Sequence, residues 1–326
     1  MTSSQTDPKV DHDERFRHEV LTSFAKDLQD IGSDNEKQDL LISIKSFCYH
    51  HIKEPLNRPM ADVATVQQNL DVLWYMFVKA STAIESDSLF QDRLVLLLLW
   101  TRHFDLVHKE LYNGQNMAGN WESYGFAQYL QTFWEDLVKD GSEAELRSLA
   151  TFSAKVLAAG ICEEQISSTG VRYMREALET SNDKITKFLP GAVVWMETCP
   201  HALLRYCVKD KEQQLEHSSL NLGPLAQDEC VDEAGSGMKR WLFWRRCFQK
   251  LSHHSDASIA YLAKKGFMAM IHCGLDVDYI VPGEGVFNER LQRFMWSELV
   301  KSGKESLGGD EVDIDPDWVD REIEQS

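Results

Sequence analysis

No apolar run in the 326-residue chain is long enough to cross a bilayer. The longest, Leu94 to Trp100, gives way after seven residues to Thr101-Arg102-His103, whereas a spanning helix needs roughly 20. The opening, Met1-Thr-Ser-Ser-Gln-Thr-Asp-Pro8, lacks a basic segment followed by an apolar stretch, so no secretory leader is read. The seven cysteines (48, 162, 199, 207, 230, 247 and 273) include no Cys-x-x-Cys pair. An odd, scattered set fits neither a secreted disulfide framework nor a closely spaced zinc site. Reduced, mostly buried thiols are expected, and with them an intracellular protein of cytosol or nucleus.

Positive charge is also scarce. Lys and Arg total 34 against 52 Asp and Glu, a net charge of −18. Phosphate recognition relies on clustered cations, so nucleic acid is not an expected partner. Also missing are a Gly-x-Gly-x-x-Gly turn after a strand, a P-loop, a Gly-x-Ser-x-Gly elbow and a His-Glu-x-x-His helix. No cofactor or metal is therefore expected from local motifs. Gly283-Glu-Gly285, after Ile280-Val281-Pro282, reads as a turn.

What the chain does have is helical periodicity, with no convincing strand alternation. Phe16, Val20, Phe24 and Leu28 form one stripe, and Leu40, Ile44, Phe47 and Ile52 a second behind an N-cap at Ser33. A third helix runs over about 61–84 with Val63, Val66, Leu70, Leu73 or Trp74, and Phe77 on one side. A fourth, over about 88–111, is apolar nearly all round its Leu-rich centre and should be buried. Tyr112 to Gly119 is a turn-rich break before a helix carrying Leu130, Trp134 and Leu137. Ser142 and Glu145 form a capping box for a helix stopping at Gly160. Val171 to Leu178 continues after Gly170, and Ala192 to Cys207 follows, bent or broken at Pro200. Three further helices are expected over about 238–253, 255–275 and 288–301.

The fold class expected is all-α, with antiparallel helical hairpins stacked in a bundle or short superhelix. Residues 1–14 read as a flexible N-terminus and 15–303 as a single helical domain with a polar loop near 209–237. Residues 304–326 form an acidic tail: between 305 and 326 nine acids stand against Arg321 alone.

Phe152-Ser-Ala-Lys-Val-Leu157, Arg175-Glu-Ala-Leu-Glu179, Leu189-Pro-Gly-Ala-Val-Val-Trp195, Trp241-Leu-Phe-Trp-Arg-Arg-Cys-Phe248 and the helix Ala260 to Ala269 carry a family likeness. On these residues the chain resembles an uncharacterised fungal domain-of-unknown-function family of helical proteins, over about 16–303. The resemblance implies fold and fungal origin and no particular activity. Genes of this kind can sit near secondary-metabolite clusters, which leaves a biosynthetic role open.

The densest polar set is on the fourth helix, where Asp105 and His108 are three apart and share a face. His103 and His108 are five apart, about 140° around the helix. A solvated helix end with local ion pairs is the preferred reading of His103, Asp105 and His108, and a catalytic role the alternative. The adjacent pairs His50-His51 and His253-His254 do not converge alone and suit helix C-termini. His272-Cys273 reads as a core contact. In Lys239 to Lys250, the residues Trp241, Trp244, Phe248 and Leu251 share one face and Lys239, Arg246 and Lys250 the opposite one, with Leu242 and Phe243 at its flanks. The preferred reading is an amphipathic bundle helix; the alternative makes the basic face a partner surface, onto which the acidic tail could also fold.

Two functions follow. One is a non-catalytic helical interaction or regulatory protein with a protein partner. The other is a small-molecule binder or cryptic enzyme of fungal secondary metabolism, with an aromatic-lined pocket for a small apolar or aromatic molecule.

Overall fold

The computed structural model describes residues 8–29, 31–56, 63–111, 125–181, 184–208, 221–228, 237–276 and 285–303. Among these the chain is all-α, as the periodicity predicts. It divides between Gly170 and Val171 into two compact units.

In the first unit, helix α1 spans Pro8–Gln29, so it starts before the boundary expected at residue 15. Helix α2, Asp34–Cys48, opens on a complete capping box. The Ser33 hydroxyl accepts from the Glu36 amide, and the Glu36 carboxylate accepts from the Ser33 amide at 2.7 Å. A π-helical turn, Tyr49–Lys53, and the short α3, Glu54–Leu56, follow. Then come α4 (Val63–Ala83), α5 (Leu89–Leu111), α6 (Phe126–Asp140), α7 (Glu143–Ala158) and α8 (Glu163–Leu178), the last carrying the division between the units.

Helix α4 is the hub, touching α1, α2, α5, α6 and α7. It buries Trp74 and Phe77 completely and also Val72, Met76 and Val78, so it is apolar on more than the one side expected. Gln91 closes its end by donating through Nε2 to the Ser81 and Ile84 carbonyls at 2.9 and 2.8 Å. The Leu-rich centre of α5 is expected to be buried, and the structure corrects this in part. Leu94 and Leu98 are buried, but Leu96 is 62% exposed. Leucines are helix formers as well as core formers, and α5 has neighbours on only part of its circumference.

Helix α7 starts on the Ser142–Glu145 box and ends in a Schellman motif at Gly160, φ +72°. The Ile161 amide donates to the Val156 carbonyl and the Gly160 amide to that of Leu157, at 3.3 and 2.9 Å. Gly170 does not interrupt α8: it is buried in mid-helix, where tertiary packing outweighs a propensity cost of about 1 kcal/mol.

The second unit contains α9 (Ile185–Thr198), α10 (Pro200–Val208), α11 (Pro224–Asp228), α12 (Met238–Leu251), α13 (Ala257–Asp276) and α14 (Gly285–Ser302). Helix α9 begins seven residues before the expected start and tolerates Pro190 inside it. Pro200 does break the helix and opens α10, where its missing N–H would have no helical partner anyway. Helix α13 is the hub here, packing on α9, α10 and α12. Its contact with α12 depends on Gly266, because a Cβ there would lie 2.5 Å from the buried Phe248 ring. Residues 221–228, inside the segment expected to be a loop, include α11; 209–220 and 229–236 lie outside the described residues, as does the acidic tail 304–326.

Gly266→Ala should therefore lower stability by about 1–3 kcal/mol through overpacking, despite a helix-propensity gain of up to about 1 kcal/mol. Denaturant titration measures it, and an alanine variant as stable as the parent would contradict the close approach.

Candidate interaction surface and a buried charge knot

The helix-ending sequence Leu178-Glu179 places a carboxylate where a largely buried helix runs out, and that carboxylate is fully buried. Arg240 in α12 meets it side-on: Nε donates to Oε1 at 2.6 Å and Nη2 to Oε2 at 3.0 Å. The Trp244 indole donates to Oε1 at 2.7 Å and the Gly223 amide to Oε2 at 2.7 Å. A carboxylate offers about four lone-pair directions, and four donors use them. The Glu179 carbonyl accepts from the Leu225 amide at 3.0 Å, so one residue ties the segment ahead of α11 by side chain and backbone together. Gly223 is required there, because a Cβ would fall 2.5 Å from the Glu179 carbonyl oxygen and Cβ. Arg240 also lies over the Trp244 ring, 5.5 Å from its centroid.

With four donors on its carboxylate and no exposed surface, Glu179 is closed to a substrate. The nearby Cys207 is buried as well. Burial, and then the Glu179 carboxylate, push its thiol up to about 12, against the opposing pull of Arg240. Burial alone raises Cys199 to about 12, and burial first and then Asp276 raise Cys273 to about 12; burial raises Cys48 to about 11, against the Thr101 hydrogen bond. The cluster is a structural knot.

The sequence-predicted site residues do not assemble into a reaction centre among the described residues. His103 is exposed on α5; the side chains of Asp105 and His108 lie outside the described residues. His51 is half-buried rather than at a solvated helix end. It sits between the Phe16 and Phe47 rings, each 4.8 Å away, and burial, helped by His50, lowers its pKa. On α12, Trp241, Trp244 and Phe248 are buried as expected, whereas Leu251 is half-buried. Phe243, placed at a flank of the basic face, is core, and so are Arg240, Arg245 and Gln249. The solvated strip narrows to Lys239 and Lys250, with Arg246 half-buried.

An exposed apolar groove lies instead between α2 and α5. Arg93 Nη1 donates to Gln38 Oε1 at 3.0 Å, Lys45 lies over the Trp100 ring at 5.8 Å, and Cys48 Sγ donates to Thr101 Oγ1 at 3.5 Å. Residue numbers rise together across these pairs, so the two helices run parallel. The rungs 38/93 and 45/100 are two helical turns apart, about 10 Å. Between them is a groove of about 400 Å³ floored by Leu41 and Leu97 and walled by Ile42 and Leu96, which are 52% and 62% exposed.

A second groove, of about 340 Å³, follows the face of α6 that carries Gln128, Tyr129, Thr132, Phe133 and Asp136, opposite Asp71 of α4. Burial raises the pKa of Asp71, Tyr75 and Tyr129, and Tyr75 and Asp71 raise Tyr129 further. Lys79 lies over the Phe133 ring at 4.7 Å and the Tyr75 ring at 6.0 Å.

Residues 74–248, just over half of the chain, match the family model described as a protein of unknown function, DUF3632. The chain belongs to this family. The match is narrower than the 16–303 the resemblance suggested, and it takes in the whole Glu179 knot and the α5 wall of the apolar groove, but not α2. No curated protein and no solved structure matches the chain.

Two outcomes check these assignments. Arg240→Met leaves an unpaired buried carboxylate and should cost about 3–5 kcal/mol of unfolding free energy. A loss below about 1 kcal/mol would show that Glu179 does not depend on its partner. Under native conditions at pH 8, iodoacetamide should leave Cys48, Cys199, Cys207 and Cys273 unmodified, because the thiolate is the reactive form; peptide mass spectrometry after unfolding should find all four alkylated.

Proposed function

We propose that this DUF3632 member is a non-catalytic helical interaction or regulatory protein of a fungal cell, and that a partner docks in the α2–α5 groove. The observation that supports it is the pair of aliphatic walls, Ile42 and Leu96, more than half exposed on either side of an apolar floor. Scattered single apolar residues on a surface are ordinary, whereas two that flank one groove between the same pair of rungs form a docking surface for a helix or extended segment. Covering the exposed part of each would contribute roughly 1 kcal/mol. The basic strip of α12, Lys239 and Lys250 with the half-buried Arg246, is a further partner surface in this reading, and the setting is intracellular.

The α4–α6 groove favours a second reading, a small-molecule binder in fungal secondary metabolism. Its rings, Tyr129 and Phe133, would take a small aromatic molecule, with Asp71 and Asp136 fixing its polar end. Native mass spectrometry of protein purified from its own host would reveal a retained ligand of that kind, lost on Tyr129→Ala.

For the first reading, the double variant Ile42→Asp, Leu96→Asp should keep the parent's melting temperature within a few degrees and lose a partner captured by the parent chain from native extract. An unchanged set of captured proteins would rule out the groove.

A further inference from the structure

Resting on the groove reading above, we infer that the occupant is an acidic amphipathic helix. Among the described residues lining the groove are two cations, Lys45 and Arg93, and no carboxylate, within a chain of net charge −18. The local charge is therefore opposite in sign to that of the protein as a whole, and it marks the chemistry of what binds there. The closest carboxylate in sequence on α5, Asp92, is engaged by Lys155 Nζ at 2.5 Å.

Each cation has a neighbour at its rung. Arg93 donates to Gln38 and lies over the Phe90 ring at 4.6 Å; Lys45 lies over Trp100. Their geometry sets the pattern they recognise. Arg93 stands on the α5 wall at the 38/93 rung and Lys45 on the α2 wall at the 45/100 rung, two helical turns along. A helix laid between parallel α2 and α5 would meet them with acids about six residues apart, roughly 9 Å along its axis and about 120° around it, and so on opposite flanks. Between those acids, apolar positions at three- and four-residue steps would cover Ile42 and Leu96. A basic amphipathic helix of identical apolar stripe would meet two like charges.

The test uses the full chain and two labelled synthetic helical peptides of eighteen residues with the same leucine stripe, one flanked by Glu and one by Lys. Fluorescence anisotropy should show the Glu peptide binding at least tenfold more tightly at low ionic strength, with the preference shrinking as salt rises. In the double variant Lys45→Glu, Arg93→Glu the preference should reverse. Equal binding of the two peptides, a preference for Lys, a preference unchanged in the double variant, or no binding of either peptide overturns the inference. The groove itself is tested separately. If Ile42→Asp, Leu96→Asp abolishes binding of both peptides while neither is preferred, the acidic occupant fails and the docking groove stands. If that variant binds as the parent does, the groove fails.

Discussion

One buried carboxylate organises the second unit. Glu179 has lost water on every side, and such a group persists only where donors replace that water. Arg240, Trp244 and the Gly223 amide do so, and the Leu225 amide adds a bond to the Glu179 carbonyl. The end of α8, the segment entering α11 and the first turns of α12 are thereby fixed to one residue. Helix α12, so placed, turns Phe248 toward Gly266 of α13, the helix against which α9 and α10 also pack. A charge pair in a core contributes little net attraction once desolvation is subtracted. It specifies a single arrangement, because few packings satisfy four donors and four lone pairs together.

The helices themselves were legible because their signals are local. Ser142 with Glu145 is a capping box in sequence and in space, Ser33 caps α2 as expected, and Gly160 and Pro200 stop helices where the chain says they should. Gly170 and Pro190 misled because each carries a propensity cost that long-range packing offsets. The rank order of burial was the harder inference. Leu96 and Val78 belong to equally apolar stretches, and only the number of neighbouring helices separates the exposed residue from the buried one.

The Glu179 knot left a faint trace in the sequence. Arg240 precedes Trp244 by four residues, which puts a cation on the apolar face of α12, and Glu179 directly follows a buried helix end. Neither signal names its partner, since Glu179 and Arg240 are 61 residues apart. The groove was similarly hidden. Gln38 and Lys45 are spaced as Arg93 and Trp100 are, with Ile42 and Leu96 falling between them, but only the parallel packing of α2 on α5 sets the two stripes side by side.

Charge thus has two uses in this DUF3632 protein. Inside, it is spent on specifying the packing of α8, α11 and α12. Outside, two cations border an apolar groove on an otherwise acidic chain. Amide hydrogen exchange, with and without the Glu-flanked peptide, tests this division most directly. Protection should rise over residues 38–49 and 89–101 and stay unchanged over 178–181 and 221–244. Peptide-induced protection centred on Glu179 and Arg240, with none at Ile42 or Leu96, would contradict it.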